Sequence, residues 1–346
     1  MKVKYIVPFL LFMLFIASSS EVHASGRRLG TAGAVELLIP MGARSVGMGG
    51  ANIANVSGTE ALYWNPAGLA VLPATEAAFS YMDYFADMSV SYVAIGSRIG
   101  NLGSLGFSLQ AMNIGDIPVT TIQNPEGTGE MLSPNFLTLN VGFSRAFTDR
   151  INFGVNAKLI SEIIGNMSAR AVAFDFGLQY VSPFGVDFGV VMKNIGTSLR
   201  FNGTGVEFNS DIDFSNPNAT TRKTILDMAS HELPATFSMG LGYRYRIDEN
   251  HGLNVAGIFT NNNYNLDQLV TGVEYSFNDM FFGRVGYNSP MNPDNVSAGD
   301  EDYQYGLTLG FGAHLPLGNR KVMFDYAYRD MDLFDANQYF SIGFTF

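Results

Sequence analysis

Residues 237–246 read FSMGLGYRYR, and their order decides what kind of chain this is. Phe237, Met239, Leu241, Tyr243 and Tyr245 alternate with Ser238, Gly240, Gly242, Arg244 and Arg246. Side chains of a β-strand point alternately to its two faces, so the stretch has one oily face and one small or charged face. Helical spacing would mix the two sets. The same scheme sets Leu137, Leu139, Val141 and Phe143 against Thr138, Asn140, Gly142 and Ser144. It returns at the C-terminus, where Phe340, Ile342, Phe344 and Phe346 oppose Ser341, Gly343 and Thr345.

Outward from these segments, strands of this type start near residues 76, 87, 102, 134, 150, 168, 185, 233, 250, 267, 280, 303, 320 and 337. Fourteen is an even number, as a single-chain bacterial membrane barrel requires. Most run for about 10–14 residues. A tilted strand needs roughly 9–11 to cross the bilayer, and strands of soluble domains are nearer five or six. Tight turns such as Gly100-Asn101, Thr148-Asp149, Ser182-Pro183, Asp248-Glu249 and Asn278-Asp279 fall after even-numbered strands. The long connections 114–133, 197–232, 288–302 and 330–336 fall after odd-numbered ones. Such alternation separates the two rims of an outer-membrane barrel. The expectation is an all-β protein, a transmembrane antiparallel β-barrel of about 14 strands over residues 76–346.

Charge then says which face is inside. The polar faces carry Lys158, Asp175, Asp187, Lys193, Arg244, Arg246, Glu274, Arg284, Asp325 and Arg329. An Arg or Lys against lipid at the midplane would cost about 2–4 kcal/mol, so these side chains belong to the lumen. Aromatics near strand ends (Tyr84, Phe147, Tyr180, Tyr245, Phe277, Tyr287 and Tyr328) suit the interfacial girdles. Glycines 103 and 106 of the third strand suggest a bend.

Residues 1–24 have the form of an export signal: Lys2 and Lys4, an apolar run from Tyr5 to Ala17, then a small-x-small site ending at Ala24. Without them, 322 residues carry 18 basic against 30 acidic side chains. An acidic balance of this size argues against a nucleic-acid partner. There is no cysteine, hence neither a disulfide framework nor thiolate chemistry.

Residues 25–75 are different, rich in Gly and Ala, and about fifty such residues cannot build a core alone. They are expected to be a plug or hatch resting on the barrel wall. Gly47, Gly49 and Gly50 permit close backbone approach. They lack the third glycine of a dinucleotide loop and the Lys-Ser/Thr of a P-loop. His231, His251 and His314 have no zinc-ligand spacing. Asp294, Asp300, Glu301 and Asp302, like Asp211 and Asp213, read as solvated loop acids without EF-hand spacing. No GxSxG elbow is present. No catalytic residue, metal site or cofactor is called for.

The stretch GARSVGMGGANIANVSGTEALYWNPAGLA, residues 42–70, resembles the N-terminal signature of PorV/PorQ-type outer-membrane proteins, relatives of the FadL-type channels. Gly42, Gly47, Gly49, Gly50, Asn65, Pro66, Gly68 and Leu69 match the pattern, with Trp64 beside them. Gly58-Thr59 stands where relatives often carry acidic residues. The resemblance implies a fourteen-stranded barrel with an N-terminal plug. It further implies a part in type IX secretion or surface attachment of exported proteins, recognised by the outer loops 114–133 and 197–232. The alternative it leaves open is a FadL-like passage for hydrophobic small molecules, and by that analogy Gly103 and Gly106 would mark a lateral gap. Outer-membrane lipid is the surrounding partner in both.

Overall fold

The computed structural model describes residues 30–346 except 212–220, 265, 292–304, 319 and 332–334. The export signal, Asp213 and the acids at 294–302 lie outside the described residues. Fourteen long strands form the wall. They are β1 (Glu76–Asp83), β2 (Ser89–Ile99), β3 (Gly103–Asn113), β4 (Asn135–Ala146), β5 (Ile151–Ile164), β6 (Met167–Tyr180) and β7 (Val186–Gly196). The second half holds β8 (Thr236–Arg246), β9 (His251–Asn262), β10 (Gln268–Phe277), β11 (Phe281–Pro290), β12 (Tyr305–Leu317), β13 (Arg320–Met331) and β14 (Asn337–Thr345). Each pairs antiparallel with its sequence neighbours, and β1 pairs with β14, so the sheet closes on itself. Closure removes the free edges that an open sheet would expose to lipid.

The wall is oily outside and polar inside. Phe79, Val93, Phe107, Phe174, Val285, Phe311 and Phe340 are exposed, whereas Gln110, Asn140, Asn156, Asp175 and Arg284 are buried. A water-soluble sandwich would show the reverse. The tight turns gather at one rim, with the start of β1 and the end of β14. In barrels of this type that rim faces the periplasm and the longer loops face outward. No helix among the described residues is long and apolar enough to cross a membrane.

Two details depart from the sequence reading. No lateral gap opens at the third strand among the described residues. Residues 103–113 of β3 pair without a break to β2, and residues 104–113 to β4. Gly106 instead faces Leu62 and Leu69 inside the barrel. Tyr84 follows the last residue of β1 and lines a cavity at the loop rim, not the lipid girdle. A third feature leaves no mark in the sequence. Between β6 and β7 the ladder shifts register at Asp175, opposite Lys193 and Asn194. Strict alternation from Val191 would turn Asn194 to lipid. The bulge, with Asn194 at φ 61°, turns its side chain inward instead.

Residues 30–75 lie against the inner wall. They form a 3-10 turn at Val35–Leu38, helix α1 (Ala43–Gly47), helix α2 (Ala61–Trp64) and a second 3-10 turn at Pro66–Val71. The last turn starts where it does because the Asn65 side chain accepts from Ala67 N while Pro66 takes the first position. Helix α1 rests on β11–β14, and the Pro66–Val71 turn rests on β3–β6. Ile39, Met41, Val46, Val56, Leu62 and Leu69 pack with Met82, Val90, Tyr92 and Tyr339 of the wall into one apolar cluster.

Candidate functional site

Small wall residues set how closely the N-terminal segment can approach. Glycines of neighbouring strands face each other in register on the inner side: Gly96 with Gly106, Gly106 with Gly142, Gly154 with Gly177, Gly189 with Gly240, and Gly272 with Gly286. Against these bare patches the segment lays its own backbone, Pro66 on Gly154 and Gly177, Ile53 and Ala54 on Gly189, Met48 on Gly272 and Gly286. Gly47 meets Gly310, so two backbones touch with no side chain between them. Gly42 and Gly50 have φ of 86° and 85°, and a Cβ there would strike the Glu60 carboxylate or the Trp64 ring. Gly49 lies against Val270, and Gly68 against the Val56 carbonyl.

Polar contacts lock the fit. Asn65 Nδ2 donates to Ile53 O at 2.9 Å and to Leu178 O of the wall at 3.2 Å. Trp64 Nε1 donates to Met41 O at 2.7 Å. Thr59 N and Oγ1 both donate to Glu76 Oε1 at 2.7 Å, which pins the segment to the start of β1. Ser45 donates through N and Oγ to Glu60.

A chain of alternating charges runs from the segment into the wall. Arg44 reaches Glu274 at 3.2 Å, Glu274 holds Arg284 at 2.6 Å, and Arg284 holds Asp325 at 2.7 Å. His314 Nε2 closes the series 3.0 Å from Asp325. Each carboxylate is shared by two basic groups, so the buried charges are matched. Across the lumen Lys158 pairs with Asp175 at 2.7 Å and donates to Asn194 Oδ1 at 2.8 Å. Asp187 pairs with Arg244 at 2.7 Å. Arg246, the last residue of β8, lies at the turn rim, exposed and 3.0 Å from Asp279.

Toward the loop rim the packing gives way to a cavity of about 650 Å3. Its walls are largely apolar and aromatic, with Tyr63, Trp64, Phe85 and Phe136 among them. Lys193 projects into it 3.9 Å over the Tyr63 ring and 5.8 Å from that of Trp64, a cation held on two aromatic faces. Arg329 lines the opposite side, and Glu36 of the N-terminal segment closes it from β5's direction.

The sequence profile of the family described as Type IX secretion system protein PorV matches residues 22–209, more than half of the chain. The chain belongs to the PorV family. The matched stretch carries the whole described N-terminal segment and β1–β7, whereas Glu274, Arg284, Gly310 and Asp325 of the contacts just described lie beyond it. Among curated proteins none matches. Solved structures show what the PorV-family fold is similar to. A Pseudomonas putida toluene transporter, TodX, superposes with a TM-score of 0.54 at 13% identity, over 92% of this chain and 99% of that one. A FadL homologue from Pseudomonas aeruginosa gives 0.55 at 13%, over 88% and 98%. The monoaromatic hydrocarbon channel CymD gives 0.55 at 13%, over 89% and 98%. At such identities the likeness is one of fold. Family and fold together make this a bacterial outer-membrane barrel.

Several residues of the site escape a sequence reading. Arg44 sits inside the family signature, yet its partner Glu274 is 230 residues away and only barrel closure joins them. Glu36 and Glu162 carry no motif, and Glu60 lies in the signature stretch without a partner that spacing could name. One signal was present: the wall acids Glu274 and Asp325 surround a single wall arginine, Arg284, which leaves a negative excess for the segment's only described arginine to fill.

Proposed function

We propose that the chain serves type IX secretion as a surface-side receptor, whose loop-rim mouth receives part of an exported protein. One observation carries this reading: the N-terminal segment fills the lumen on the turn side of the cavity, leaving the cavity at the ends of the longer loops. A pocket of about 650 Å3 with aromatic walls suits a few anchoring side chains of a partner. In this reading residues 1–24 are removed after Ala24, and residues 25–75 act as a plug. The loops 114–133 and 197–232 are the parts that meet the partner.

The test is a photo-crosslinking residue placed at Phe85 or Phe136 in cells that carry the secretion system. An adduct with an exported protein is expected. Adducts with lipid alone would refute the reading. N-terminal sequencing of the purified barrel, expected to begin at Ser25, checks the processing site.

A second reading has its own support, because the cavity lining and the fold likeness suit an apolar small molecule passing from mouth to lipid. The unbroken pairing of β3 weighs against a side exit there. Mass spectrometry of the barrel released intact from micelles separates the two, since a copurified hydrocarbon or acyl ligand would favour passage.

A further inference from the structure

Residues 30–40 run along the loop-rim cavity as a strap, where Tyr63 Oη donates to Leu37 O at 3.3 Å beside a handful of further ties. Gly33 N donates to Glu232 O at 3.0 Å, and His231 Nδ1 lies 3.4 Å from Thr31 O. Gln110 Nε2 donates to Glu36 O at 3.0 Å. Ala34 and Leu37 pack with Ile160, Ala171, Leu199 and Leu233. Two positions with positive φ bracket the cavity-lining part, Ala34 at 51° and Gly42 at 86°. A left-handed alanine persists only where its surroundings enforce it.

At the centre of the strap is an unmatched acid. Glu36 is 3% exposed, and beyond its own backbone and the Glu162 carboxyl no group bonds to its carboxyl oxygens among the described residues. What faces it is another acid, Glu162 of β5, 5% exposed. The other charged groups around the pair are few. His231 of the long loop acts on Glu162. Lys193 of β7 is held over Tyr63 across the cavity, and Arg329 of β13 lines the far side. Glu232 is bonded to Tyr264. No cation bridges the two carboxyl groups among the described residues. Two adjacent buried carboxylates cannot both ionise without strong repulsion.

We infer that the strap is held against the wall by a proton shared between Glu36 and Glu162, and that losing this proton releases it from the mouth. The proton leaves to solvent through the cavity, and two carboxylates remain facing each other. Burial first, and Glu162 second, push the Glu36 carboxyl from 4.5 up to about 8. A raised value means that the acid form stabilises docking. That contribution is complete below about pH 4.5 and is lost as pH rises through about 8. The inference deepens the proposed function only by assigning the strap a purpose at that mouth. Its test needs no secreted partner, so the two readings can fail separately.

The chain has no cysteine, so labels can be placed singly. Spin labels on Val35→Cys and Ser230→Cys, both exposed, report the strap-to-loop distance in the purified full barrel. At about pH 4.5 the short distance should dominate. As pH rises from about 5 to 8 a longer population should grow, by up to tenfold per pH unit for one released proton, and level off above about 8. Glu36→Gln and Glu162→Gln should each keep the short distance throughout, because an amide can donate to the remaining carboxylate without titrating. A Gly33→Cys/Leu199→Cys disulfide should lock the strap at every pH, since a Cβ on Gly33 lies 3.2 Å from that of Leu199. A wild-type distance that stays short to pH 10 overturns the inference. So does an alkaline transition that persists in Glu36→Gln.

Discussion

Replacing Gly189 with alanine tests the close approach of segment and wall at a single atom. The new Cβ would lie 2.6 Å from Ala54 Cα, 2.7 Å from Ile53 O and 2.8 Å from Ala54 N. Carbon atoms rest at about 3.5–4.0 Å, so the segment must retreat by roughly 1 Å, and all three obstructing atoms are backbone. Retreat also strains the Ile53 carbonyl, which accepts from Asn65 Nδ2 at 2.9 Å and from Gln179 Nε2 at 3.1 Å. Overpacking costs about 1–3 kcal/mol, and a weakened hydrogen bond about 0.5–1.5 kcal/mol more. A loss of about 2–4 kcal/mol in docking raises the undocked fraction roughly 30- to 700-fold. Limited proteolysis of the purified barrel reads this directly, as cleavage within residues 50–60, provided opening is fast relative to cutting. Gly283→Ala is the control, since a Cβ there meets nothing within 4 Å. It should leave the rate unchanged or lower it slightly, because alanine orders more cheaply than glycine in a strand. Equal cleavage rates for Gly189→Ala, Gly283→Ala and the parent chain would mean that no close backbone contact exists at Gly189.

Three further outcomes are expected. Arg284→Ala leaves Glu274 and Asp325 buried against each other's charge and should cost about 3–5 kcal/mol. Thermal melts followed by circular dichroism check this, and adding Glu274→Gln and Asp325→Asn should recover part of the loss. Asn65→Ala removes two donated bonds and one cap, and should lower the melting point while strand content stays unchanged. Lys193→Met takes the ammonium off Tyr63 and Trp64, and because Trp64 is the chain's one tryptophan, its emission maximum should move. An unmoved spectrum would speak against the cation over the ring.

The range of the forces involved decides which parts of this molecule could be read from its sequence. Strand number and facing are local matters, since a period of two repeated over ten residues leaves no choice of face. Gly240 and Gly242 opposite Leu241 and Tyr243 already announce a thin inner wall. The pairing of Arg44 with Glu274 is not local, for it exists only once residues far apart in sequence share one lumen. Asn194 was unreadable for another reason, because a single inserted residue reverses the facing of every later position in its strand. The lateral gap expected at Gly103 and Gly106 failed because glycine within a strand has two meanings. It can break a ladder or make room for a neighbour, and here Leu62 and Leu69 take the room.

The two ends of the described chain lie at opposite rims. Gly30 borders the mouth, whereas Thr75 accepts a bond from Phe346 N at 2.9 Å beside the tight turns. The first forty-odd residues thus traverse the whole cylinder, and a finished cylinder would have to be threaded like a needle to admit them. Chains avoid threading. A ring sealed around its contents avoids it, with the terminal strand arriving beside the very residue at which those contents emerge. Closing the seam between β1 and β14 last, over an interior already docked, is the order that this topology favours.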